Sequence, residues 1–413
     1  MKACALVGRQ VAHSLSPQIH HLLAEYPYQL LSLEEAQAAA LMRSGCYRGL
    51  NITMPYKGLA ATCCDWQSET ARRSGSVNTI VTGEDGRVCG YNTDYDGLKL
   101  LLQQSGIEVR GKKVLILGAG GAARTAQVVA YDGGARKVVT VSRRGAVTFA
   151  DLSFQRDSQI IINATPVGMY PDSPAALIDV TEFPVCEGVV DFIYQPLKTA
   201  LVLQAEAVGV PAAGGLFILV EQARRAAELF CGHALPLDLS GQIYRRLLRE
   251  RINLVLIGMP GAGKTAVGQR LSAALERVFV DTDQLLEQTH GVAAGQLLSR
   301  VGETRFRELE MEQVARAGRE LGQVIAVGGG AVTRGENRLF LAQNGRIYDL
   351  ERQLMLLSRQ GRPLSVDHGT IYRLYQQRQS AYHSWSEQIV DNNGAIEETV
   401  AAILEDFDAY FSD

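Results

Sequence analysis

The 413-residue sequence has no Cys-x-x-Cys pair, and its 7 cysteines (Cys4, Cys46, Cys63, Cys64, Cys89, Cys186, Cys231) are odd in number. None lies beyond position 231. This usage argues against a disulfide framework or a thiolate metal site and fits a reducing compartment. No apolar run reaches membrane-spanning length, and Met1-Lys2-Ala3-Cys4-Ala5-Leu6-Val7-Gly8 enters a strand-like segment without a cleavable apolar stretch. A soluble, cytoplasmic protein is expected, with no membrane partner. A dominant charge is lacking too: 41 Lys and Arg oppose 44 Asp and Glu, which gives no nucleic-acid surface. The cluster Arg245, Arg246, Arg249 and Arg251 reads as a solvated helix face near a domain junction. The histidines are scattered, and no metal-ligand cluster is visible. Low-complexity linkers and internal repeats are also lacking. The 46% hydrophobic content supplies real cores, and the length predicts two or three domains.

Residues 1–97 alternate short strands with helices: a strand over Ala3–Val7, a helix over Pro17–Glu25, a strand over Gly49–Thr53, a helix from Lys57 and a strand over Val77–Val81. A second unit opens with the strand Lys113–Leu117. It continues through Gly118, Ala119, Gly120, Gly121, Ala122 and Ala123 into a helix, then the strand Lys137–Ser142. This is a βαβ unit with G-x-G-x-x-A at its first turn, the pattern of a dinucleotide site or of any tight strand-to-helix turn. Further strands fit Gln159–Asn163 and Gly188–Ile193. From Leu216 to Glu250 the pattern is helical, with Leu219, Ala223, Ala226, Ala227 and Phe230 on one face and an interruption at Gly232–Leu239.

A different glycine loop follows the apolar run Ile252–Ile257. Gly258-Met259-Pro260-Gly261-Ala262-Gly263-Lys264-Thr265 fits G-x-x-x-x-G-K-[ST]. Inward-pointing backbone N–H groups of such a loop cradle phosphate, Lys264 reaches the β/γ oxygens, and the Thr265 hydroxyl sits on Mg²⁺. Next comes Val278–Asp283, read as a strand whose alternating Asp281 and Asp283 face one cleft, one for Mg²⁺ and one to take a substrate hydroxyl proton.

In the first half the strand Lys137–Ser142 ends in Ser142-Arg143-Arg144, with no acid to bind ribose hydroxyls. Two guanidinium groups can clamp a 2′-phosphate, so NADP is favoured over NAD; the alternative is a pair of surface arginines. Small polar side chains cluster in His13-Ser14-Leu15-Ser16-Pro17, Asn51-Ile52-Thr53-Met54-Pro55-Tyr56-Lys57, Ser76-Val77-Asn78-Thr79 and Gly90-Tyr91-Asn92-Thr93-Asp94. Ser16 and Asp94 also read as helix caps. Together with Asn163–Met169, Asp191–Tyr194 and Gly215–Gln222, these stretches resemble shikimate dehydrogenase over residues 1–249.

The resemblance implies NADPH-dependent reduction of 3-dehydroshikimate to shikimate. Carried over, Ser14 and Ser16 hold the substrate carboxylate, and Thr53, Asn78 and Gln222 bind ring hydroxyls. Lys57 and Asp94 form the catalytic pair, Phe192 and Gly215 lie beside the nicotinamide, and Tyr194 lies near the substrate. Gln10 stands where the family often has proline, Ser142 and Arg144 depart from Asn-Arg-Thr, and the segment between Pro17 and Asn51 is short.

The second half resembles shikimate kinase over residues 252–413. The residues that carry this are the phosphate loop, Asp281, Asp283, Gly302–Arg307 with Glu310, Gly328–Gly330, Arg362-Pro363-Leu364 and Arg378. The resemblance implies that Asp283, Arg307, Gly329, Gly330 and Arg378 bind shikimate, that Thr265 and Asp281 serve Mg²⁺, and that Arg362 closes onto the transferring phosphoryl group. An ion pair with Glu303 or Glu310 is the alternative for Arg307, and Ser365 replaces a common leucine.

The expected architecture is α/β throughout: an α/β substrate domain of residues 1–97 with the helices of 216–250, a Rossmann-like NADP domain at 98–215, and a P-loop kinase α/β/α domain at 251–413. The implied protein is bifunctional, with NADP(H), ATP and Mg²⁺ as cofactors and small molecules as substrates. The hydroxyl made by reduction is the one phosphorylated next. Alternatives are an NAD-dependent quinate/shikimate dehydrogenase fused to another polyol kinase, or an inactive shikimate sensor. A monomer or a homodimer is expected.

Overall fold

The computed structural model describes residues 3–171, 173–357 and 368–412. They divide into two compact units, 1–244 and 245–413, and the division falls inside the helix Leu239–Arg251. Among the described residues no helix is long and apolar enough to cross a membrane.

The first unit contains two sheets. One comprises β1 (Cys4–Gly8), β2 (Tyr28–Ser32), β3 (Gly49–Ile52), β4 (Trp66–Gln67), β5 (Thr79–Thr82) and β6 (Val88–Tyr91), in the order β2-β1-β3-β5-β6-β4. β1 pairs in parallel with β2 and β3, whereas β5 runs antiparallel to β3 and β6. The other sheet is parallel: β7 (Lys113–Leu117), β8 (Lys137–Val141), β9 (Ile160–Asn163), β10 (Gly188–Asp191) and β11 (Ala212–Ala213), ordered β11-β10-β9-β7-β8. Alternation along β7 feeds two cores. Val114 and Ile116 pack with Leu98, Ala126 and Phe217, while Leu115 and Leu117 pack with Val139, Ile161 and Leu201. A strand apolar on both faces is what a parallel sheet covered on both sides requires. The order reverses at β7, so the turn after it lies where parallel sheets bind ligands.

The helix Leu216–Cys231 packs against the helices Ser16–Leu23 and Asp94–Gln104. Its expected apolar face is present, with Ala223, Ala226, Ala227 and Phe230 buried and Leu219 half-buried. Gly232 at φ +75 ends it, within the expected interruption.

The second unit has one parallel sheet: β12 (Asn253–Ile257), β13 (Phe279–Asp281), β14 (Val324–Ala326), β15 (Gly345–Glu351) and β16 (Gln388–Asp391), ordered β13-β14-β12-β15-β16. One expectation fails here. Asp281 and Asp283 do not alternate on a strand, because the chain turns into the helix Thr282–His290 after Asp281. The Asp281 carboxylate accepts from the backbone N–H groups of Asp283 (3.0 Å) and Gln284 (3.4 Å). An aspartate that satisfies two first-turn donors starts a helix there, overriding the strand pattern of the preceding residues.

Candidate active sites

In the first unit Lys57 opens the helix Lys57–Thr62 and Asp94 opens the helix Asp94–Gln104. Lys57 Nζ donates to Asp94 Oδ2 at 2.5 Å, with the two side chains 19% and 8% exposed. Asp94 is therefore not a helix cap; that position falls to Thr93, whose side chain makes no cap bond. Ser16 also opens its helix rather than capping it. Ser14 Oγ accepts from Ser16 N (3.2 Å) and donates to Ser16 Oγ (3.1 Å).

Residues left unassigned in the sequence reading link these groups. The Tyr28 hydroxyl is hydrogen-bonded to Ser16 and donates to Asn51 Oδ1 at 2.7 Å. Asn51 Nδ2 donates to Thr79 Oγ1 at 3.2 Å, and Thr79 meets Asn78 (3.2 Å) and Thr93 (3.1 Å). Asn78 Nδ2 then donates to Gln222 Oε1 at 3.3 Å. Ser16, Asn78 and Gln222, distant in sequence, thus share one largely buried network, the kind that holds polar side chains in fixed directions. Thr53 stands half-buried just beyond β3, its N–H bonded to Val7 O at 2.9 Å. The neighbouring His20 ring is fully buried, which pushes its pKa down to about 3 and keeps it neutral.

The glycine turn after β7 approaches this site. Gly118 has φ +119, and a Cβ there would stand 2.8 Å from Ala164 O, so the turn requires glycine. Ala119 and Gly120 are exposed, and Gly121 and Ala122 begin the helix Gly121–Asp132. A Cβ on Gly121 would lie 3.2 Å from Lys57 Cβ, which puts the turn directly beside the lysine. Arg124, not foreseen from sequence, donates to Ser74 O (2.7 Å) and Gly75 O (2.9 Å) and so fastens this helix to the loop before Ser76.

Opposite, Phe192 and Gly215 meet, with the Phe192 carbonyl against the Gly215 backbone and Gly215 N bonded to Ile193 O at 2.8 Å. Tyr194 is half-buried in the same loop. Asp191 organises that loop: it accepts from Asn163 Nδ2 (3.1 Å), Ile193 N (3.0 Å) and Thr199 Oγ1 (2.7 Å). Burial pushes its carboxyl up to about 6 against the pull of those donors. Ser142, Arg143 and Arg144 follow β8, and both arginines are exposed without an acceptor among the described residues. An exposed glycine turn, with two unpaired guanidinium groups just beyond the adjacent strand, fits a dinucleotide carrying an extra phosphate.

In the second unit one cavity of about 420 Å³ is lined by Gly261, Gly263, Lys264, Thr265, Asp281 and Asp283. Arg307, Gly329, Gly330 and Arg378 line it too. Gly258, Gly261, Ala262 and Gly263 form the loop between β12 and the helix Lys264–Leu275, and Lys264 Nζ donates to Gly258 O (2.9 Å) and Met259 O (3.1 Å). Thr265 Oγ1 donates to Asp281 Oδ2 at 2.8 Å, so two hard oxygen ligands are together despite the failed strand reading. They fit Mg²⁺, which takes its remaining ligands from phosphate and water. Among the described residues no group of three acidic, His or Cys side chains would hold a metal unaided.

Asp283 faces Gly328; burial pushes its carboxyl above the usual range, and the Asp281 charge adds to the effect. Arg307 pairs with Glu310 at 2.8 Å and more loosely with Glu303 at 3.5 Å, yet its guanidinium also abuts Gly330 in the cavity. The ion-pair reading of Arg307 therefore holds, and the same guanidinium lines the cavity. Arg378 Nη1 donates to Gly329 O at 3.0 Å, and Tyr382 joins it on the same carbonyl at 2.5 Å. Glu310 is the ion-pair partner that the sequence offered for Arg307. It is 3% exposed with its carboxyl pushed up by burial, and it aims Arg307. Arg362 lies outside the described residues.

The two units have the folds and sites of two nucleotide-dependent enzymes, an oxidoreductase and a P-loop kinase. The family model for the shikimate dehydrogenase substrate binding domain matches residues 6–80, and that for shikimate kinase matches residues 260–408. Shikimate dehydrogenase (NADP(+)) of Clostridium perfringens is 31% identical over 268 residues, covering 60% of this chain and 98% of the relative. The Methanosarcina barkeri protein of the same name is 34% identical over 261 residues, covering 56% and 93%. Among solved structures, shikimate dehydrogenase 1 of Peptoclostridium difficile aligns with TM-score 0.55 at 32% identity, covering 60% of this chain and 98% of that one. The Thermus thermophilus enzyme, in complex with NADP(H) and shikimate, aligns with TM-score 0.54 at 31% identity, covering 60% and 99%. The chain belongs to the shikimate dehydrogenase family and continues into a shikimate kinase domain; it is an enzyme, an oxidoreductase joined to a kinase.

Proposed function

We propose that the first unit reduces 3-dehydroshikimate to shikimate with NADPH and that the second phosphorylates shikimate on its 3-hydroxyl with MgATP. The observation that carries the first half is the Lys57–Asp94 pair beside the glycine turn, where a Cβ on Gly121 would lie 3.2 Å from Lys57 Cβ. The bound dinucleotide supplies hydride. As charge grows on the carbonyl oxygen, the Lys57 ammonium stabilises and protonates it, with Asp94 fixing its position. Ser14 and Ser16 receive the substrate carboxylate, while Thr53, Asn78 and Gln222 meet its hydroxyls. Tyr194 lies at the substrate, and Phe192 and Gly215 border the nicotinamide.

For the second half, the carrying observation is one cavity shared by the phosphate loop and by Asp283, Arg307 and Arg378. Asp283 accepts the hydroxyl proton, and its raised pKa suits a base. Arg307 and Arg378 pair with the substrate carboxylate, Gly329 and Gly330 allow its close approach, and Lys264 neutralises the phosphates. Arg362 belongs to the same proposal as the lid cation. The protein works in the cytoplasm, with a substrate domain of residues 1–97 and 216–250, an NADP domain of 98–215 and a kinase domain of 251–413.

A coupled assay tests this reading: 3-dehydroshikimate, NADPH and MgATP should yield shikimate 3-phosphate. Lys57→Ala should lower the reductase kcat by roughly two orders of magnitude and leave kinase turnover intact, and Lys264→Ala should do the reverse. Turnover of neither substrate by the wild-type chain refutes the reading, leaving a binding role. Faster reduction with NADH or of quinate's ketone refutes the cofactor or substrate assignment.

A further inference from the structure

Arg352 is the first residue beyond β15 and lines the same cavity as Lys264 and Thr265. Its guanidinium lies over the glycine loop: a Cβ built on Gly263 would stand 3.6 Å from Arg352 Nη1. The residue is half-buried, and its Nε is sheltered from water without an acceptor. Among the described residues no carboxylate or carbonyl pairs with it. Arg307 Nε is likewise without an acceptor, but the terminal nitrogens of the cavity's other arginines are held, those of Arg307 by Glu310 and Glu303 and that of Arg378 by Gly329 O.

The backbone at this point is anchored. Gln353 N donates to Asn393 Oδ1 at 2.8 Å, Asn392 N to Glu351 O at 2.8 Å, and Asn392 Nδ2 to Ala262 O at 2.5 Å. These bonds join the end of β15, the loop after β16 and the glycine loop, so the arginine is held beside the phosphate cradle. A sheltered cationic donor without an acceptor is costly, and the acceptor is supplied when an anion binds.

We propose that Arg352 is a ligand of the nucleotide's phosphate chain, with Nε and one Nη donating to phosphate oxygens from the side of the loop opposite Asp281. The inference rests on the kinase reading above and adds a residue that neither the motifs nor the family matches assign. Arginine suits the role because its planar fork meets two phosphate oxygens at once, whereas lysine offers a single point charge.

The test uses the full-length chain and the variants Arg352→Met and Arg352→Lys. Binding of ATP, Mg·tripolyphosphate and adenosine is measured by calorimetry, alongside KM for MgATP and for shikimate. Arg352→Met should weaken tripolyphosphate binding and raise KM for MgATP by about tenfold or more. It should leave KM for shikimate within about twofold, and Arg352→Lys should restore part of the loss. The retained KM for shikimate, together with Trp385 fluorescence in a Trp66→Phe background, reports that the second unit is folded. Unchanged tripolyphosphate affinity overturns the inference, including the case in which only adenosine binding falls and the guanidinium contacts the base. Failure of the wild-type chain to bind ATP overturns the kinase reading and this inference with it, whereas wild-type binding matched by both variants overturns the inference alone.

Discussion

Asp349 makes a quantitative prediction about the second unit. It lies opposite Ile257 in the β12–β15 register, is 4% exposed, and its carboxylate receives no hydrogen bond among the described residues. Burial raises its pKa from 3.8 to about 6, and the Glu351 charge adds to that; His383, 3.8 Å away, and Lys264 oppose it. Tyr375 and Tyr382 also face it and stay neutral in this range. Because the folded pKa lies above the unfolded one, the folded state binds the proton more tightly. The stability this provides is fully present below about pH 4 and is lost as pH rises through about 6. The rise corresponds to about 3 kcal/mol.

Asp349→Asn, similar in shape and neutral throughout, should therefore gain up to about 3 kcal/mol over wild type between pH 4 and pH 8. The chain has 2 tryptophans, one in each unit, Trp66 and Trp385. In a Trp66→Phe background, Trp385 fluorescence during urea unfolding reports the second unit alone. A difference between Asp349→Asn and wild type that stays constant from pH 4 to pH 8 would refute the reasoning, because an uncompensated buried charge has to appear as pH-dependent stability.

Two further predictions concern the sites. Gly330→Ala places a methyl group onto the Arg307 guanidinium, so it should raise the kinase KM for shikimate by about tenfold or more and leave reduction unchanged; steady-state kinetics of both reactions on one preparation check this. Replacing Arg143 and Arg144 together by serine should raise KM for NADPH by about tenfold or more with little change for NADH. An unaltered NADPH-to-NADH ratio would remove both arginines from phosphate recognition.

Local signals were legible wherever the chemistry is carried by consecutive residues. The turns Gly118–Ala122 and Gly258–Thr265 lie between strand and helix as the pattern requires. β7 coincides with the expected strand, and the break at Gly232 follows from the glycine itself. Asp281 and Asp283 do line one cavity as expected, but the strand alternation behind that expectation failed for a local reason: strand periodicity says nothing about which residue will satisfy the next helix's free N–H groups. The residues missed outright act across long sequence distances. Tyr28 joins Ser16 to Asn51, Arg124 reaches back to Ser74 and Gly75, and Asp191 collects donors from β9 and from Thr199. No periodicity encodes such pairs, since a tyrosine or arginine reads the same whether its polar end meets water or a partner.

The sequence by itself determined the two phosphate-binding turns, the order of the units and the chemical identity of the groups offered to substrate, because backbone conformation at glycine and the hydrogen-bonding capacity of a side chain are local properties. Only the tertiary structure decided that Asp94 pairs with Lys57 instead of capping a helix, that Arg307 is at once ion-paired and in the cavity, and that Arg352 is left without an acceptor. Those outcomes depend on desolvation and on which charges burial brings within a few ångströms, and both arise only once the sheets have packed.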